Sequence, residues 1–179
     1  MKKQNSKNCK ASAVTLRELR EAVGIHFSAW SMLERSLQSA LVDLETNGKK
    51  ARRQSLSQKL NLWKQFHLDR TSEREIHKEF IAELHSILQS SLEIRNRLAH
   101  GITGWTALVP GRTDKASIST ELNDEETAIE FEELQKITGQ TGIIASHMDR
   151  ITSYALEPDK WRHSDLHADI RKMLYRSNR

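Results

Sequence analysis

The sequence predicts an all-α, up-and-down bundle of about five helices with a small β-hairpin inserted after the third. Three observations carry that expectation. Apolar residues recur at spacings of three and four through most of the chain, capping boxes stand at the heads of three such stretches, and the helical period fails in one place, from Ile102 to Asn123. Only seven glycines and two prolines interrupt 179 residues, so breaks are few.

The first helix opens at Thr15-Leu16-Arg17-Glu18, where hydroxyl and carboxylate can each accept from an amide at the helix head. Leu19, Val23, Phe27, Trp30, Leu33, Leu37, Leu41 and Leu44 form its apolar stripe, up to the stop signal Asn47-Gly48. Ser55 and Gln58 open a short second helix with Leu56, Leu60, Trp63 and Phe66 on one side. Ser72 and Glu75 open a long third helix. Its stripe of Ile76, Phe80, Leu84, Ile87 or Leu88, Ser91, Ile94 and Leu98 ends at His100-Gly101, and His77 and His85 are expected to flank that stripe.

Trp105 to Val109 and Ala116 to Thr120 then read as the two arms of a hairpin around Pro110-Gly111, with a further short strand near Ala128 to Phe131. Leu134, Ile137, Ile144, Met148, Ile151 and Ala155 restore a helix whose first half Gly139 and Gly142 weaken. Leu166, Ile170 and Met173 mark a last helix before a basic terminus. Residues 1–14 read as a basic tail and 15–176 as one domain, since no linker divides them. One-sided helices joined by short loops bury their stripes against each other, which is the bundle.

Composition narrows the function classes. Cys9 is the single cysteine, so an internal disulfide and a cysteine zinc cluster are excluded, and an intracellular, cytoplasmic setting is expected. No window approaches a membrane span, and the start lacks the apolar stretch of a secretory signal. Net charge is +4, but Glu121, Asp124, Glu125, Glu126, Glu130, Glu132 and Glu133 form an acidic stretch; without it, 28 Lys and Arg face 17 carboxylates, an excess of +11. Lys49, Lys50, Arg52 and Arg53 form one basic cluster, expected to contact a polyanion such as RNA. Glycine-rich phosphate loops, serine-hydrolase elbows and Cys-x-x-Cys pairs are missing. His163 and His167 are four apart, but with no third ligand they do not make a metal site, and no metal or cofactor is expected.

The segment that carries chemistry is Arg95-Asn96-Arg97-Leu98-Ala99-His100-Gly101. Arg followed by His at similar spacing recurs at Arg20/His26, Arg70/His77 and Arg162/His167, yet only this copy adds the adjacent Asn, a small residue before His, Gly after it, and a helix end. It resembles the Arg-Asn-x-x-x-His motif of HEPN domains, small helical domains many of which are metal-independent ribonucleases. A long first helix with the mid-helix acid Glu34, the motif closing a later long helix and a further helix beyond it resemble that family across roughly residues 15 to 156.

The residue types suit cleavage of RNA by its own 2′-hydroxyl, leaving 2′,3′-cyclic phosphate and 5′-hydroxyl ends. An imidazole such as that of His100 serves as acid or base near neutrality, a guanidinium such as that of Arg95 steadies a phosphate gaining charge, and Asn96 orients rather than transfers protons. Glu34 is expected to anchor Arg95, with Arg97 in support and Trp105, in a loop behind the motif, offered to a base. On a regular helix Arg95 sits about 140° from His100. Either the helix deforms, or the arginine wraps round, or a second subunit completes the site; the resemblance implies the last, two motifs facing each other in a homodimer. It also implies a setting in prokaryotic defence, stress response or a toxin–antitoxin pair, with an antitoxin or other regulatory protein as a further partner. The competing expectation is a non-catalytic RNA-binding or protein-interaction module on the same fold.

Overall fold

The computed structural model describes residues 13–44, 54–71, 74–107, 115–157 and 165–176. Five helices, α1 (Leu16–Leu44), α2 (Leu56–Arg70), α3 (Glu75–His100), α4 (Phe131–Leu156) and α5 (Leu166–Arg176), are joined in that order, with strands β1 (Ile102–Thr106), β2 (Ser117–Leu122) and β3 (Glu125–Glu130) between α3 and α4. The mainly helical architecture with a small β insertion is therefore present. No helix among the described residues is long and apolar enough to cross a membrane.

Two of the three expected capping boxes form. The Thr15 amide donates to Glu18 Oε2 at 2.7 Å while the Glu18 amide donates to Thr15 Oγ1 at 3.2 Å. Ser55 and Gln58 exchange the same pair of bonds at 2.9 and 3.3 Å. Helix α3 begins after Arg74, which makes no side-chain cap hydrogen bond, and Ser72, the first residue of the third expected box, lies outside the described residues.

Helix α1 lies along α4, and the core divides into two clusters. The larger gathers Trp30, Trp63, Phe80, Leu84, Met148 and the α5 residues Leu166, Ile170 and Leu174. The smaller joins Leu19, Ile94, Leu98, Leu134 and Ile137 to the sheet residues Ile118 and Ile129. Leu174, rather than the expected Met173, completes the buried edge of α5.

The hairpin is a three-stranded antiparallel sheet, β1-β2-β3, with Trp105 opposite Ile118 and Ile118 opposite Ile129. Trp105 thus stands on a strand, not in a loop. Asn123 and Asp124 turn β2 into β3 with φ of 55° and 62°, the paired left-handed conformation of a two-residue hairpin that Asn and Asp tolerate best. Helix α4 follows β3 without a break and runs unbroken through Gly139 and Gly142; neighbours on α1 outweigh the roughly 1 kcal/mol each glycine costs.

Two polar seams cross the core. Trp30 Nε1 donates to Ser91 Oγ at 2.9 Å, and Ser91 lies 2.7 Å from Thr141 Oγ1. The Thr141 proton is used on the Ile137 carbonyl at 2.7 Å, so Ser91 donates to Thr141 and every donor in the seam is satisfied. His26 Nδ1 lies 2.9 Å from Thr138 Oγ1, whose own proton goes to the Leu134 carbonyl at 2.6 Å; His26 is therefore the donor, with its proton on Nδ1.

Helix three corrects the expected stripe at its start. Ile76 is 67% exposed, and His77, expected to flank the stripe, is buried. Positions 77, 80/81, 84, 88 and 91 share the inward face, and Ile76 is turned about 100° from it. His85 remains half-buried, with Nε2 2.9 Å from Asn61 Oδ1.

Candidate functional site

The motif occupies the last turn and a half of α3, which stays helical to His100. The amide of Gly101 closes it on the Arg97 carbonyl at 2.8 Å. Helix deformation therefore does not bring Arg95 and His100 together, and no hydrogen bond joins the two among the described residues.

His100 is exposed and makes no hydrogen bond among the described residues. Asn96, one turn earlier on the same face, is half-buried. It lines a groove of about 450 Å³ between α2 and α3 together with Ser57, Ser86, Gln89, Ser90 and Glu93. Arg95 is also half-buried: Nη1 donates to Asn96 Oδ1 at 3.2 Å, while its Nε is buried without a partner. With Oδ1 occupied, the Asn96 amide group keeps its two N–H donors for a ligand.

Arg97 has a different task from the supporting one expected of it. It is buried, with Nη2 on Glu125 Oε2 at 2.6 Å, Nη1 on the Glu125 carbonyl at 3.2 Å and Nε on Glu93 Oε1 at 3.3 Å. The Glu125 hydrogen bond, with Glu93 beside it, raises its pKa further and keeps it charged. Arg97 faces inward because position 97 falls next to the Ile94–Leu98 edge, where the sheet packs. It ties the acidic β2–β3 turn to the motif helix.

Glu34 does not anchor Arg95. No ion pair joins them among the described residues, and Glu34 lines a separate groove with Ser31, Arg35, Gln38 and Lys59. Its position just beyond the buried Leu33 turns it toward α2 instead of α3. Trp105 is half-buried against the smaller core cluster, with the Arg20 guanidinium 6.0 Å from its ring centre, so its ring is engaged within the fold. Lys49, Lys50, Arg52 and Arg53 lie outside the described residues, as does His163.

Gly101 permits the close approach of sheet and helix. The Glu121 amide donates to the Gly101 carbonyl at 2.7 Å, and a Cβ at Gly101 would run into the Glu121 carbonyl oxygen. The sequence offered this glycine as a helix stop; its neighbour across the sheet was not legible. The acidic stretch thereby comes to rest beside the motif, a juxtaposition that nothing in the linear order announced.

Among the described residues no group of three or more His, Cys, Asp or Glu side chains is arranged to hold a metal ion. Compared with protein-family models, curated proteins and solved structures, the chain finds no match.

Proposed function

We propose that this chain is a metal-independent endoribonuclease of the HEPN kind, acting in the cytoplasm as a homodimer with Arg95, Asn96 and His100 at its reactive centre. The observation that carries the reading is the exposure of His100 without a hydrogen-bond partner among the described residues, one helical turn from Asn96 and its groove. A catalytic imidazole must reach a proton on substrate, and no hydrogen bond among the described residues engages this one.

The groove beside Asn96 offers hydroxyls and amides, groups that bond to the edges of unpaired bases and to 2′-hydroxyls. Among the described residues no carboxylate pairs with Arg95, so it supplies the charge for a phosphorane in the cleft of a dimer, opposite the partner's copy of the motif. In that arrangement His100 moves the proton between the 2′-hydroxyl and the leaving 5′-oxygen, and the products carry 2′,3′-cyclic phosphate and 5′-hydroxyl ends. A role in prokaryotic defence or stress, held in check by an antitoxin or other regulatory protein, is part of the same proposal.

One observation favours a second reading, a non-catalytic module that binds a protein. Glu121 and Glu126 on the sheet and Asp124 in its turn stand beside the motif, where they repel a polyanion and attract a basic partner.

Incubation of the full chain with total RNA in excess EDTA, beside His100→Ala, decides between them. Cleavage to cyclic-phosphate ends that falls at least about 100-fold in the variant is expected, the scale of a lost general acid or base. Intact RNA with both proteins removes the ribonuclease reading.

A further inference from the structure

Three histidines far apart in sequence meet where α5 joins the bundle. His67 Nδ1 on α2 lies 3.0 Å from His77 Nε2 on α3, and His77 Nδ1 lies 3.0 Å from His167 Nε2 on α5. Aromatic rings enclose them: Tyr154 stacks on His77 with ring centres 4.7 Å apart, Phe80 lies 4.7 Å from His167, and Trp63 lies 4.8 Å from His67. The chain of rings runs from half-buried His167 to His67, whose Nε2 is buried without a partner.

Each nitrogen-to-nitrogen contact needs one proton, no more. Assigning the protons so that the unpartnered His67 Nε2 is a lone pair and not an orphan N–H, His67 donates to His77 and His77 donates to His167. All three rings are then neutral, and burial is the first cause holding them so: it pushes His67 and His77 down to about 3 and lowers His167. An added proton finds no seat in this chain. On His167 it turns Nε2 into a donor facing the His77 donor, and relief by passing protons inward ends with an N–H at His67 Nε2, where nothing accepts it.

The charges around the rings do not help to accommodate that proton. Arg70 on α2, Arg74 at the N-cap of α3 and Arg171 on α5 all disfavour a charged imidazole. From α4 the facing titratable group is the Tyr154 phenol, itself under the Arg74 guanidinium at 5.7 Å. On α3, Lys78 is paired with Glu75 at 2.6 Å. Glu83 is committed to Arg171 at 2.7 Å and to the Tyr175 hydroxyl at 2.7 Å. No hydrogen bond or ion pair of the described residues joins a carboxylate to the three rings.

We propose that His67, His77 and His167 form an acid-opened latch, which binds α5 to the bundle while the three rings are neutral and releases α5 when they take up protons. Lifting α5 removes His167 and uncovers His77, so both rings regain the proton affinity of imidazole in water. The signs follow from linkage: rings with depressed pKa stabilise the closed state above about pH 6.5, and that stabilisation is lost as pH falls below it. With two rings gaining water, the opening constant rises by up to about 100-fold per pH unit. Opening strips Leu166, Ile170 and Leu174 from the larger core cluster, while the packing of α1 on α4 has no part in the latch.

The test is hydrogen–deuterium exchange of the full chain from pH 7.5 to 5.0, corrected for intrinsic rate and read by mass spectrometry. Between pH 6.5 and 5.0, peptides of residues 166–176 are expected to lose protection by at least about 30-fold, with residues 16–44 and 131–156 still protected. His167→Gln, which keeps a polar partner for His77 but cannot titrate, should flatten that pH dependence about tenfold. Glu83→Gln, which removes the carboxylate outside the latch, should loosen α5 equally at every pH. Unchanged protection of α5 down to pH 5.0 overturns the latch, as does its loss together with α1 and α4, or a pH dependence as steep in His167→Gln as in the unaltered chain. If that variant does not fold, the titration of the unaltered chain decides alone.

Discussion

Arg97 and Glu125, 28 residues apart, are bonded twice, side chain to side chain at 2.6 Å and side chain to backbone carbonyl at 3.2 Å. This clasp holds the turn of an acidic sheet against the helix whose last residue is His100. A motif arginine is thereby spent on architecture, and Arg95 is left to deal with any ligand. Glu125→Ala should leave the helices intact and raise exchange in residues 117–130 by about tenfold, the scale of one charge-assisted hydrogen bond. Equal protection in variant and parent would show that strand pairing alone holds the sheet.

Ser91 is the hinge of the seam that links α1, α3 and α4. In Ser91→Ala the Trp30 indole N–H stays buried without an acceptor, and Thr141 loses its donor. An unfolding free energy lower by about 1–3 kcal/mol in urea titration is expected. A loss below about 0.5 kcal/mol would mean that the cavity recruits water.

At Gly101 the obstacle to a side chain is contact, not backbone strain, since its φ of −129° suits any residue. Gly101→Ala should push the Glu121 backbone away and cost about 1–3 kcal/mol, as overpacking does. The loss should appear as early exchange of residues 117–122 in the same measurement. Full stability would indicate that the sheet rides on α3 without a fixed contact.

His26 makes the bundle sensitive to acid at the opposite end from α5. Burial holds its pKa down to about 4, opposed in part by the Ser91 carbonyl. A ring with a depressed pKa contributes stability that is present above about pH 6.5 and lost as pH falls toward 4, at about 1 kcal/mol per unit. Denaturation at pH 7 and pH 5 should show that loss in the parent chain, and His26→Gln should show less of it. An equal loss in both would place the acid sensitivity elsewhere.

Much of the fold was legible in the chain. Helix positions follow from a period of 3.6 residues, and the two boxes at Thr15 and Ser55 from local hydrogen bonding, both of which act within a few residues. At the start of α3 a stripe drawn from apolar residues alone takes in the exposed Ile76 and passes over a buried histidine. His77 is buried there by ring contacts from α2, α4 and α5 that lie beyond any local window. For the same reason the sequence sets the first arm of the hairpin at Trp105 to Val109, whereas β1 begins at Ile102: its extent is decided by pairing with β2, more than ten residues on.

The same division holds at the candidate site. Sequence alone determined that Arg95, Asn96 and His100 would lie at a helix end, with Asn96 and His100 on one face, because helix geometry sets those angles. Only the tertiary structure decided that Arg97 would be buried by Glu125, that Glu34 would turn away from Arg95, and that three distant histidines would share protons. Each of these is a long-range electrostatic or packing choice. Its energy depends on what the rest of the chain brings within a few ångströms, and no spacing along the chain encodes that.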